Sequence, residues 1–117
     1  MDRYAQVLKE LIKSAGLDGV SLLSADGLPI TSVLKPGMEE DRIAAMGAAL
    51  LSLGERVAEE LNIGNLEQIT MKGKDGNVVL TSIRQDIAMI ALAGDNVKLG
   101  LLLMEIKKAQ DKLKEIM

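Results

Sequence analysis

The sequence predicts an α+β fold, one five-stranded antiparallel sheet with three helices in the order α-β-β-α-β-β-β-α, forming a single domain over residues 1–117. Three observations predict it. Apolar residues recur with a helical period in three segments. Between those segments the period falls to two, in short runs rich in Val, Ile and Thr. Turn dipeptides, Asp26-Gly27, Pro36-Gly37 and Asp75-Gly76, punctuate the change.

The first helix is set by Tyr4, Val7, Leu8, Leu11 and Ile12 on one side and Lys and Glu on the other, with Gly16 placed for a left-handed C-cap. Val20 to Ser24 and Ile30 to Leu34 read as a hairpin, because Asp26-Gly27 reaches positive φ at low cost. The second helix runs from Glu39 to Leu61, opened by Glu39-Glu40-Asp41 at its positive end and closed by Asn62 or Gly64. Three strands follow: one from Leu66 to Met71 with the look of an edge, one after the turn Lys74-Asp75-Gly76-Asn77, and Ile87 to Ala93, apolar enough to be covered on both faces. Asp95 or Asn96 is the expected cap of a last helix from Val97 to Met117, whose second half confines Ile106, Ala109, Gln110 and Leu113 to one stripe.

Composition narrows the function. Apolar residues make up 48% of the chain and aromatic residues 1%, so the core must be aliphatic. Fourteen basic against seventeen acidic residues, unclustered, together with a single Tyr and no Phe or Trp, leave neither a phosphate-tracking patch nor a stacking platform; nucleic acid is not an expected partner. The N-terminal sixteen residues lack an apolar signal-peptide core. The longest uncharged run, Ile43 to Gly54, is too short to span a bilayer. With no cysteine, a reducing compartment suits the chain, and a cytoplasmic location without membrane insertion is expected.

The hairpin "DGVSLLSADGLPITSVL", the Ala-rich segment "IAAMGAALLSLGERVAEELNIGNLEQI" and "LGLLLMEIKKA" in the last helix resemble the roadblock/dynein light chain family over essentially the whole chain. The resemblance implies a fold related to longin and profilin-like domains. It also implies pairing as homodimers or heterodimers through the second helix and third strand, and a role as regulator or scaffold of small Ras-like GTPases. Partners implied are therefore a second copy or a paralogue, and such a GTPase. An architectural or small-ligand-sensing domain is the alternative.

The residues bear on pairing independently. At about 100° per residue, Ile43, Gly47, Leu50, Gly54, Val57 and Leu61 fall in one stripe, expected to cover the sheet. Ala44, Ala48 and Leu51 widen the apolar arc on one flank and Met46, Ala49 and Leu53 on the other, to roughly 200°, more than a helix needs against its own core. A pairing surface is expected on Ala44, Ala48, Leu51 and Glu55 of this helix with Glu67, Ile69 and Met71 of the following strand. The outward face, Ala45, Ala49, Ser52 and Arg56, is the one that the resemblance would present to a GTPase.

Catalytic chemistry has little to work with. Absence of His and Cys removes the usual triads, thiol nucleophiles and zinc sites, and no catalytic, cofactor-binding or metal-ligating residue is expected. "MKGKDGN" lacks the Ser or Thr that a phosphate loop requires after Gly-Lys, and reads as a hairpin turn. Glu39-Glu40-Asp41 diverge around the helix axis and read as a solvated helix start. Arg3, Arg42, Arg56 and Arg84 could each complete a partner's active site or simply be solvated.

Overall fold

A computed structural model describes residues 2–117. The first helix, α1 (Arg3–Ala15), begins where the Asp2 carboxylate accepts the Tyr4 amide at 2.9 Å. It ends at Gly16, φ 68°, as glycine allows without strain. Strands β1 (Gly19–Ser24) and β2 (Pro29–Leu34) form the expected hairpin, with Gly27 at φ 87° in its turn. Helix α2 (Glu40–Glu60) ends before Asn62 and Gly64, both left-handed. Strands β3 (Gln68–Gly73), β4 (Gly76–Arg84) and β5 (Ile87–Gly94) follow, and then α3 (Leu99–Ile116).

The order of elements is the expected one, and the differences lie at boundaries. Gly76 pairs with Gly73, so the β3–β4 turn is only Lys74-Asp75, and Gly76 and Asn77 already belong to β4. Strand β3 starts at Gln68 rather than Leu66. Helix α3 starts at Leu99, with Lys98 at the N-cap and no side-chain cap bond, so neither Asp95 nor Asn96 serves as its cap.

The sheet runs β2-β1-β5-β4-β3, with every neighbouring pair antiparallel. Central β5 is buried through Ala88–Ala91, while β2 and β3 are the edges and β3 is largely exposed. Helices α1 and α3 cover one face, where Leu8, Leu102, Ile106 and Leu113 meet Val20, Leu22, Val79 and Met89. Helix α2 covers the other, over Leu23, Leu80 and Ile90. Each such side chain contributes about 1.5–3 kcal/mol on burial, and aliphatic residues supply both layers.

Small residues let α2 lie low on its face. A Cβ at Gly47 would stand 2.6 Å from Leu23 Cδ2, and one at Gly54 would stand 2.5 Å from Ile69 Cδ1. Beneath the helix, the fully buried Ser21 shares a 2.7 Å hydroxyl hydrogen bond with Ser32.

Candidate interaction surface on the second helix

Strand register sorts the α2 face of the sheet into rows. Ser32, Ser21, Ile90, Leu80 and Ile69 align across all five strands, and α2 lies over this row. One row nearer the β3–β4 turn, Leu34, Gly19, Leu92, Val78 and Met71 align in the same way. Leu34, Leu92 and Val78 are only half-buried and Met71 is 50% exposed, so α2 leaves this apolar row incompletely covered.

The helix itself leaves a second apolar row open. Met46 is 54% exposed, Leu53 60% and Val57 44%, and Leu50 between them is half-buried. Their spacing, i, i+4, i+7 and i+11, makes one stripe. Ala45 Cα and Ala48 Cβ lie 3.7 Å from the Cβ position of Gly27, so that flank of α2 faces the β1–β2 turn. Met46, Leu50 and Val57 therefore lie on the flank turned toward the Leu34–Met71 row. Together the two adjoining rows form one contiguous apolar patch rather than scattered surface residues.

The expected pairing surface is corrected at two positions. Ala44 is 0% exposed and Leu51 3%, both inside the chain's own core, because the side of α2 pressed on the sheet carries them together with Ile43, Gly47 and Ala58. Val57 and Leu61, expected to cover the sheet, are exposed instead. Ala48 is half-buried beside Gly27; Glu55 and Glu67 are exposed; Ile69 packs beneath Gly54 and Met71 sits on the open row. The signal for the stripe was present in the spacing of Met46, Leu50, Leu53 and Val57.

Ala45, Ala49, Ser52 and Arg56 are all exposed, on a contiguous outer face of α2. Arg56 Nε lies 3.4 Å from Glu60 Oε2, a pair exposed on both sides. Arg84 is engaged elsewhere, its Nη2 donating to the Lys114 carbonyl at 2.8 Å near the end of α3. Arg3 and Arg42 are exposed. Met71 to Asn77 form the β3–β4 hairpin, with no phosphate-cradling loop in it. Among the described residues no group of three acidic side chains is placed to hold a metal ion, and no helix is long and apolar enough to cross a membrane.

The sheet order, with α1 and α3 on one face and α2 on the other, defines a roadblock-type α+β domain. Residues 3–93 match the Roadblock/LC7 domain model, and the chain belongs to that family. The proteins MJ0310 and MJ1340 of Methanocaldococcus jannaschii are 34% and 33% identical over 109 residues, covering 93% of this chain and 95% of each relative. Among solved structures, Myxococcus xanthus MglB superposes with a TM-score of 0.94 at 20% identity, over 99% of this chain and 95% of that one. An MglB in a tetrameric arrangement gives 0.88 at 16% identity, over 97% and 87%. Acanthamoeba castellanii profilin IB gives 0.67 at 10% identity, over 96% and 97%. These structural likenesses extend through α3, beyond the end of the family match, and they speak to the fold.

Proposed function

We propose that the chain is a non-catalytic regulator or scaffold that works as a homodimer and binds a small Ras-like GTPase, altering the partner's nucleotide cycle. The observation that carries this is the pair of apolar rows, Met46–Leu50–Leu53–Val57 on α2 and Leu34–Leu92–Val78–Met71 on the sheet, which one chain leaves open. A second copy of α2 offers the complementary stripe, and the exposed edge β3 extends the surface with unpaired backbone groups. Membership of the Roadblock/LC7 family supports the GTPase as partner, and the tetrameric MglB is a precedent for self-association on this fold.

The regulated partner docks on the outer side of α2, where Ala45 and Ser52 leave a shallow surface. Arg56 at its rim offers a planar hydrogen-bonding fork, released from an exposed pair with Glu60 that holds it only weakly. With no nucleophile or metal set of its own, the chain acts by positioning the partner's switch loops. Light scattering at tens of micromolar should give twice the monomer mass. A pull-down against small GTPases, followed by single-turnover GTP hydrolysis and nucleotide release with and without the chain, tests the rest. A monomer that recovers no GTPase and changes neither rate would end this reading.

A further inference from the structure

Each of the two apolar rows carries one methionine among residues that are otherwise Leu, Val or Gly. Met46 begins the stripe on α2 and is 54% exposed; Met71 ends the row on the sheet and is 50% exposed. They stand at opposite ends of the patch. Gly47, beside Met46, lies on Leu23 of β1, whereas Gly54 lies on Ile69 of β3, the strand that holds Met71. Met104 is 54% exposed on α3, across the sheet from both rows, and Met89 is 1% exposed in the core.

With no Cys and no Trp in the chain, the thioethers are the side chains most open to mild two-electron oxidation. Hydrogen peroxide, or another hydroperoxide, transfers one oxygen atom to the sulfur lone pair. The S–O bond forms, the peroxide O–O bond breaks, the sulfur loses two electrons, and water or an alcohol leaves. A flexible apolar side chain becomes a polar one with a strong acceptor oxygen. Pressed against Leu and Val of a partner, that oxygen finds no donor to replace water, so it opposes association.

We infer, resting on the homodimer proposed above, that Met46 and Met71 are oxidation sites that release the pairing surface, peroxide converting the dimer to monomer and reduction of the sulfoxides restoring it. Neither Leu nor Val at those positions would respond. Twofold symmetry repeats each lesion in the partner's half of the interface. Pairing covers both residues, so peroxide reaches them in the dissociated chain, and each oxidised chain is withdrawn from the pairing equilibrium. Met104, equally exposed on the far side of the sheet, reacts without consequence for pairing, and buried Met89 is shielded.

The test treats the full chain with hydrogen peroxide, follows each methionine by peptide mass spectrometry and measures mass by light scattering before and after. Oxidation at Met46 and Met71 should raise the dimer dissociation constant about a hundredfold, as unpaired acceptors at twofold-related positions imply. It should slow as protein concentration rises, while Met104 oxidises at a constant rate. Met46→Leu combined with Met71→Leu, swaps that conserve volume, should pair like the wild type and stay dimeric after treatment although Met104 is oxidised. The two methionine sulfoxide reductases, one for each sulfoxide epimer, with dithiothreitol should return the oxidised wild type to a dimer of unchanged circular dichroism, which separates a switch from damage to the fold. A monomer before any treatment would end the pairing reading and this one with it. A wild type that is dimeric before treatment and stays dimeric with Met46 and Met71 oxidised would overturn this inference alone, as would release of the doubly substituted protein by peroxide.

Discussion

Gly47 of α2 lies so close over Leu23 of β1 that a Cβ in place of its hydrogen would stand 2.6 Å from Leu23 Cδ2. Leu23 is fully buried, so its methyl has no solvent into which it can turn. Gly47→Ala gains about 1 kcal/mol of helix propensity and loses about 1–3 kcal/mol to overpacking. The loss outweighs the gain because Leu23 has no room to move, and urea denaturation should show destabilisation of up to about 2 kcal/mol. Gly100 is the control: it is exposed in the first turn of α3 with nothing within 4 Å of its Cβ position, so Gly100→Ala should stabilise by up to about 1 kcal/mol. Equal effects at the two sites would show that α2 does not ride on Leu23.

The neighbours Leu51 and Leu53 separate the core from the proposed pairing stripe. Leu51 is 3% exposed and Leu53 60%. Leu51→Glu places an unpaired carboxylate in the aliphatic core, costing several kcal/mol, enough to unfold a domain of this size. Leu53→Glu should leave the far-UV circular dichroism and melting temperature of the folded chain nearly unchanged and convert the dimer to monomer by light scattering. A Leu53→Glu protein that still sediments as a dimer would place the pairing surface elsewhere.

Under α2 the Ser21 and Ser32 hydroxyls satisfy each other at 2.7 Å. Ser21→Ala removes one partner, but Ser32 is only half-buried and can turn to water. The expected cost is about 1 kcal/mol in urea denaturation, toward the low end for a broken buried hydrogen bond. Substituting both serines by Ala should cost little more than Ser21→Ala alone, because the second change removes a hydroxyl that has already lost its partner.

Much of this fold was legible because its signals are local. The helical period of α1, the left-handed Gly16, the Asp26-Gly27 turn and the apolar run of β5 each state their element within a few residues. Strand ends were less so: whether Gly76 belongs to the turn or to β4 depends on its pairing with Gly73 across the hairpin. The face of α2 was misread for a definite reason. The helical period alone places Val57 and Leu61 in the sheet-facing stripe with Ile43 and Gly47, yet the helix is rotated so that Ala44, Leu51 and Ala58 face inward beside Ile43 and Gly47, and Val57 and Leu61 turn outward. The open row on the sheet was illegible, since Leu34, Leu92, Val78 and Met71 meet only through strand register.

The rotation of α2 also decides which substitution can separate partner docking from pairing. Ala49 belongs to the outer face with Ala45, Ser52 and Arg56, and it would serve if pairing used Ala44, Ala48 and Leu51. With the stripe on Met46 and Leu53, the helical period places Ala49 only about 40° from Leu53 and about 60° from Met46. Ala49→Arg should therefore weaken both dimer and GTPase recovery. Ser52 lies about 100° from Leu53, within about 20° of Ala45, and is exposed. Ser52→Arg should block the docked GTPase by bulk while light scattering still reports a dimer. Arg56→Ala, which breaks only an exposed pair with Glu60, should change stability by less than about 0.5 kcal/mol and reduce GTPase recovery less than Ser52→Arg does. Full recovery of the GTPase by a dimeric Ser52→Arg protein would move the docking face off α2, to the side of the sheet covered by α1 and α3.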